Sequence, residues 1–401
     1  PSAILKYHCT ELGRKVSNDA MDVHGGKGIC LGPNNYLGRG FMAAPIAITV
    51  EGANILTRSL IIYGQGAIRC HPFVLRELQA AGDEDRDRGL IEFDDALFGH
   101  VGYAISNVAR SFFLALTHAK FSQVPLNTPT RRYYQNINRY SAAFALASDF
   151  AMLTLGGDLK KRELLSARLG DILSAMYLAS CVLKHFENQG RRATDLPLVE
   201  WSVRTLMYQA QESLHEFLLN FPNRPLSWLL RFFIFPRGRT YKNPSDQIGS
   251  RVVDLVTTPG ESRERLSEFA YTTLEPGNPL GKLQEALELA REHRPLEKRL
   301  RQARKEGLID SDYLGLQIDE AEKAQVLSKA EANSLRDYHE KVSALLDVDD
   351  FAPEEMGRRP ADRASAATEK PPKKKASKKA PAAKKKAATK KKASKKKSTE
   401  T

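Results

Sequence analysis

Apolar positions recur at helical intervals over most of this chain, and strand-like alternation is rare. Val101, Ile105, Val108, Phe112, Leu116 and Ala119 keep a three-or-four-residue spacing, which predicts a helix that buries this face. The stretch "YSAAFALASDFAMLTLGG" is apolar nearly all round, as suits the central helix of a bundle. Leu165, Leu169, Ile172, Leu173, Met176 and Leu183 form the next stripe, and another helix covers roughly Leu198 to Leu219. "LIDSDYLGLQIDEAEKAQVLSKAEANSLRDYHEKV" supplies two more, the second opened by Ser328 and Glu331 at capping-box spacing. The prediction is an all-α chain folded as a helical bundle.

Toward the start, residues from about Ser2 to His24 read as a helix ended by Gly25-Gly26. "GGKGICLGPNNYLGRG" then carries too many breakers for regular structure. A second helix is expected to begin near Glu51 and fade at Gly64 and Gly66, with a short helix in "HPFVLRELQAA" and a solvated loop in "GDEDRDRG". Glu51 stands out. The run from Phe41 to Val50 holds no charge, and the next charged residue is Arg58. Charged side chains are seldom buried without a partner. Two readings are open: a carboxylate facing the N–H groups of a helix start, or a base whose basicity is raised by apolar surroundings.

Composition narrows the class. A length of 401 residues suggests two to three domains, and 42% hydrophobic residues allow a sizeable core. The chain opens at Pro1 with no initiator Met and no signal segment, and its first residues read as mid-helix, so part of a longer protein is expected. Cys9, Cys30, Cys70 and Cys181 are scattered singly, which argues against disulfides and structural metal and suits a reducing compartment. Each cysteine reads as a small core hydrophobe. His71, His100, His118 and the other histidines lack metal-like spacing and read as structural or surface residues, so no metal is expected.

The net charge is +13, but Lys370 to Thr401 holds 15 Lys and one acid, which is +14 and leaves 13 − 14 = −1 for the rest. This Lys/Ala-rich segment cannot bury enough surface to order itself and reads as disordered. It would draw nucleic acid or anionic lipid without reading sequence, or serve as a solubilising appendage. "RRYYQNINRYS" mixes basic and aromatic residues; it reads as a nucleic-acid stripe or as a helix start with Tyr packed beneath Arg, and the neutral body favours the second. The apolar run Leu226–Phe235 is ten residues between Pro225 and Pro236, whereas a spanning helix needs about 20. Arg224, Arg231, Arg237, Arg239 and Lys242 flank it, with Trp228, Phe232, Phe233 and Phe235 as aromatic anchors. A helix lying in the membrane interface and a buried or subunit-facing helix are both open.

"GRKVSNDAMDVHGGKGICLGPNNYLGRGFMAAPIAITVEGANILTRSLIIYGQGAIR" resembles the C-terminal helical domain of the acyl-CoA dehydrogenases. In that family a helix ending in Gly-Gly-x-Gly leads through a loop to Glu-Gly, the order seen at Gly25-Gly26-Lys27-Gly28 and Glu51-Gly52. "SDFAMLTLGGDLKKRELLSARLGDILSAMYLASCVLKHFENQG" and "NPLGKLQEALELA" with "DSDYLGLQIDEAEKAQVLSKAEANSLR" resemble the extra C-terminal region of the large bacterial fatty-acyl-CoA dehydrogenases. The resemblance implies that residues 1–70 end the catalytic helical domain, 71–356 form an additional helical domain, and 357–401 are the disordered tail.

The resemblance further implies an FAD-dependent enzyme that forms trans-2-enoyl-CoA from medium- or long-chain fatty acyl-CoA in β-oxidation. Glu51 would remove the alpha proton, and Gly52 would let the substrate approach the backbone. The Glu51 N–H would help polarise the thioester carbonyl. Asp22, Gly25 and Gly26 would form the turn that approaches FAD, often that of a neighbouring subunit. The family often has Gln where Asp22 stands and Thr where Ala53 stands, so those flavin contacts differ here. An electron-transfer flavoprotein partner, a homo-oligomer and a cytoplasmic enzyme, peripheral on the inner membrane through Leu226–Phe235, are the remaining expectations. The chain taken alone would turn nothing over, because the family builds its site with two further domains. The alternative reading is a non-catalytic all-α module that docks to membrane or polyanion.

Overall fold

The computed structural model describes residues 1–124 and 129–351, and all regular structure in them is helical. The Lys-rich tail expected over 357–401 lies outside the described residues. The longer helices are α1 (Ser2–His24), α2 (Gly38–Thr49), α3 (Asn54–Cys70), α4 (Val74–Ala81), α5 (Arg86–Leu116), α6 (Arg131–Leu155) and α7 (Glu163–Asn188). They continue with α8 (Leu196–Leu219), α9 (Arg224–Ile234), α10 (Asp246–Thr257), α11 (Pro279–Lys305), α12 (Leu314–Lys323) and α13 (Lys329–Leu346).

The helix ends follow from local chemistry. Asp85 accepts from the N–H groups of Asp87 and Arg88 and so opens α5. Asn223 accepts from Leu226 N–H to open α9, with Pro225 in its first turn, where a missing N–H is no loss. Ser328 and Glu331 form the reciprocal capping box of α13 that their spacing predicts.

The centre of the bundle is α6, α7 and α8. Leu146, Leu169, Ile172, Leu183, Val203, Met207 and Leu214 are fully buried there, as the all-round apolar α6 and the α7 stripe predict. Both α6, with the turn after it, and α7 are long and apolar enough by composition to cross a membrane, yet they pack inside this bundle. A second core joins α11, α12 and α13 through Leu300, Ile318, Leu327 and Leu335. Pro1–Asp349 pack as one compact unit. α3 lies directly on α7, where Gly170 allows a close approach: a Cβ there would stand 3.2 Å from Arg58 O. One residue on, Arg58 grips Asp171 through Nε at 2.8 Å and Nη2 at 2.6 Å. This contact fixes the helix that follows Glu51.

Several sequence expectations are corrected. The breaker-rich stretch after His24 contains a helical turn, Gly26–Ile29, and the start of α2 at Gly38. Asn35 organises it: its amide donates to Gly28 O and Cys30 O, and its oxygen accepts from the N–H groups of Leu37 and Gly38. The helix expected from Glu51 begins at Asn54, and the acidic-basic loop gives way to helix at Arg86. In α5 the predicted stripe is only partly the buried face: Val101, Ile105 and Leu116 are exposed, whereas Val108 packs on the main core and Phe112 on Phe232 and Phe233. α5 instead buries small and polar residues such as Ala96, Asn107, Ser111 and Ala115, which let its neighbours approach closely. The cysteines are not core residues; Cys9, Cys70 and Cys181 are exposed and Cys30 is half-buried, all with free thiols.

Candidate functional site

Between α2 and α3 the chain turns through two residues with positive φ, Glu51 at 52° and Gly52 at 92°. A non-glycine residue in the left-handed region costs on the order of 1–3 kcal/mol and persists only where its surroundings hold it. The surroundings are visible. Lys6 Nζ on α1 donates to Gly52 O and to Asn54 Oδ1, both at 2.7 Å. The Asn54 amide in turn donates to Thr10 Oγ1 and Glu11 Oε1, both at 2.9 Å. Asn54 is buried, so this polar knot ties the loop to α1.

The Glu51 carboxylate takes no hydrogen bond or ion pair from the described residues and is exposed. It caps no helix, since α3 begins at Asn54 without a side-chain cap. Exposed Val50, Ile55 and Leu56 surround it in sequence, with Met42 and Ile46 exposed on α2. The apolar company expected from sequence is therefore present as uncovered surface, not as burial: the chain's own folding leaves this face open.

The glycine turn stands at the other end of α1. Gly25 has φ 54°, its N–H bonds Met21 O at 3.0 Å, and a Cβ placed on it would meet nothing within 4 Å. Asp22, Gly25 and Gly26 are all exposed. His24 stiffens the turn, with Nδ1 donating to Ala20 O at 2.8 Å and Nε2 accepting from the Tyr36 hydroxyl. Lys6, which holds Gly52, and His24 are 18 residues apart on one straight element, or about 27 Å at 1.5 Å per residue. The fold thus does not bring Asp22, Gly25 and Gly26 to Glu51; it sets them at opposite ends of one helix.

A polar cluster that sequence spacing conceals lies in the bundle. His71, Glu77 on α4, His100 and Asn107 on α5, and Asp149 on α6 converge. His71 Nε2 is 2.9 Å and His100 Nε2 3.9 Å from Asp149 Oδ1, while His100 Nδ1 is 2.8 Å from Glu77 Oε1. His71, His100 and Asp149 offer ligand atoms within 4.8 Å of one another, a metal-like grouping that the absence of local His spacing hid. Hydrogen bonding speaks against a metal there. His71 Nδ1 accepts the N–H groups of Phe73 and Val74, both at 3.2 Å. Its proton therefore sits on Nε2, donated to Asp149, and a protonated nitrogen has no lone pair for a metal. The cluster is a buried clamp joining α4, α5 and α6. Beside it a cavity of about 530 Å³ is walled by Tyr63, Tyr103, Phe144 and Met152, and burial pushes the Tyr63 phenol up to about 12.

The described residues thus form an all-α bundle with a second helical core, preceded by a helix–glycine turn and a glutamate loop. Residues 68–351 match the family described as acyl-CoA dehydrogenase, C-terminal, bacterial type, and the chain belongs to that family. No solved structure matches the chain. The matched segment covers the bundle and begins after Glu51 and the glycine turn, so the roles of those residues rest on their own geometry and on the resemblance around them.

Proposed function

We propose that this chain is the C-terminal part of an FAD-dependent acyl-CoA dehydrogenase that oxidises medium- or long-chain fatty acyl-CoA to trans-2-enoyl-CoA in β-oxidation. One observation carries the assignment of the base: Glu51 is held by a strained, pinned loop while its carboxylate is left without a partner. A helix cap would engage neighbouring N–H groups; a base must keep its oxygens free for the substrate. Glu51 takes the alpha proton. Gly52, with no side chain, leaves room for the thioester beside the Glu51 N–H. The chemistry that FAD would supply when held near the glycine turn is acceptance of the beta hydride.

Gly25 and Gly26 leave room for the approach of FAD, because they are exposed and a Cβ at Gly25 would stand in open space. Asp22 is exposed on the last turn of α1, within reach of the same face. Their distance from Glu51 along α1 suits a site in which the glycine turn of one subunit meets the flavin of another, and so favours a homo-oligomer. Electrons would leave through an electron-transfer flavoprotein. Residues 1–70 would complete the catalytic domain, with 71–356 as the bacterial-type addition.

The reading is tested with full-length protein, palmitoyl-CoA and an artificial electron acceptor. Formation of trans-2-enoyl-CoA is expected from the full-length protein and not from residues 1–401 alone. Its absence from flavin-loaded full-length protein would remove the enzyme assignment. We also propose a cytoplasmic enzyme that rests on the inner membrane. Trp228, Leu229 and Phe232 share one face of α9 and are exposed at 64%, 50% and 57%, beside exposed Arg224 and Arg231. Such a helix suits the bilayer interface.

A further inference from the structure

The first two turns of α6 carry a basic surface that the reaction does not use. A cleft of about 650 Å³ opens between this helix, the turn after α5 and the segment Thr240–Lys242, and Lys120, Arg132, Arg139, Arg204 and Lys242 line it. Arg204 is neutralised by Glu200 at 2.7 Å. Arg132 is spent on Gln135 and on His118 O. Lys120 and Lys242 are exposed and meet no carboxylate among the described residues.

Arg139 is the informative member. It is 3% exposed. Nη1 donates to Thr240 Oγ1 at 3.1 Å, the guanidinium lies 5.3 Å from the Tyr140 ring, and Nη2 has no partner among the described residues. Burial pulls its pKa down, and only the Tyr140 phenol opposes this. A buried charge is ordinarily paired. No carboxylate meets it among the described residues, and the sequence accounts for this: no Asp or Glu occurs from Ala96 to Ser148, nor from Phe217 to Ser245, the two stretches that bring all but Arg204 to the cleft. Burial, then Arg139 and Arg237, and after them Lys120 and Arg132, lower the pKa of His118 on the cleft wall.

We propose that this cleft is a phosphate-binding site, in which the unpaired charge of Arg139 in its floor and the exposed Lys120 and Lys242 on its walls together hold a phosphate group. One guanidinium and two ammonium groups lining one cleft suit a multiply charged anion with several acceptor oxygens better than a single carboxylate. The volume leaves room for whatever carries the phosphate.

The test is thermal unfolding of the full chain in phosphate against chloride at matched ionic strength, for native protein, Arg139→Met and Lys242→Gln. Ligand binding to the folded state raises Tm, whereas the general effect of phosphate on burial is common to all three. The expected result is a phosphate-specific rise of several degrees in the native chain, at least halved in Lys242→Gln and lost in Arg139→Met. Arg139→Met is also expected to keep its Tm in chloride, because it removes an unpaired charge. If Arg139→Met does not fold, Lys242→Gln decides alone. Equal rises in native chain and variants, or no rise in the native chain, would overturn the site. Titration with glycerol phosphate and with phosphatidylglycerol vesicles, each against both variants, separates a soluble phosphate from a lipid headgroup. The Lys-rich tail is common to all arms and cancels.

Discussion

At the scale of single residues, the decisive feature is a carboxylate that the chain positions and then leaves alone. Glu51 is set by a left-handed backbone, and Lys6 and Asn54 keep that backbone in place. Lys6→Met is therefore expected to loosen the loop without emptying the flavin site. Misplacement of a reacting group by about 1 Å can cost roughly a hundredfold in rate, so kcat of the full-length enzyme should fall ten- to a hundredfold with flavin content unchanged. A matched loss of flavin would assign Lys6 to the cofactor instead. In the interior, Asp149 accepts from His71 and Asn107. Asp149→Ala should destabilise by about 1–3 kcal/mol, the usual effect of leaving a buried donor such as the His71 N–H without its acceptor, read from urea unfolding. Because the His71 proton occupies the nitrogen facing Asp149, a chelator should leave Tm unchanged and added Zn²⁺ should not raise it.

At the scale of elements, the long helices were legible because period and burial agree in α6, α7 and α8, and Ser328 with Glu331 announced α13 correctly. Two things were not legible. In α5 only part of the periodic apolar stripe is covered, Val108 and Phe112 but not Val101, Ile105 or Leu116, because close packing selected the small face at Ala96, Ser111 and Ala115; periodicity reports hydrophobicity, whereas packing also depends on size. The histidine cluster was hidden because its members lie on separate segments and meet only through tertiary packing. The capping box makes a pH prediction. Hydrogen bonds from the Ser328 backbone, then from Arg299 and the Ser328 hydroxyl, hold the Glu331 carboxyl down to about 2. A carboxyl depressed on folding contributes stability above its unfolded value near 4.5, and that contribution disappears as pH falls toward 2. Glu331→Gln should flatten the decline of Tm across this acid window and leave its slope near pH 7 unchanged. An unaltered acid limb would show that the cap does not couple to global unfolding.

At the scale of the molecule, α1 separates the glycine turn at one end from the glutamate loop near the other, and α3 and α7 fix the loop against the bundle. On its far side α9 shows an aromatic face whose removal should be nearly silent for folding. Trp228→Ser with Phe232→Ser should change stability by no more than about 0.5 kcal/mol each while reducing sedimentation with anionic vesicles; unchanged sedimentation would remove the membrane role of α9. The central claim is the proton abstraction by Glu51. Its most direct test is the turnover of palmitoyl-CoA by the full-length flavin-loaded enzyme, native against Glu51→Gln. The account predicts a loss of at least a hundredfold in kcat, within the range of general base catalysis, with flavin content and Tm retained. Near-native turnover by Glu51→Gln would contradict it and return the catalytic role to another residue.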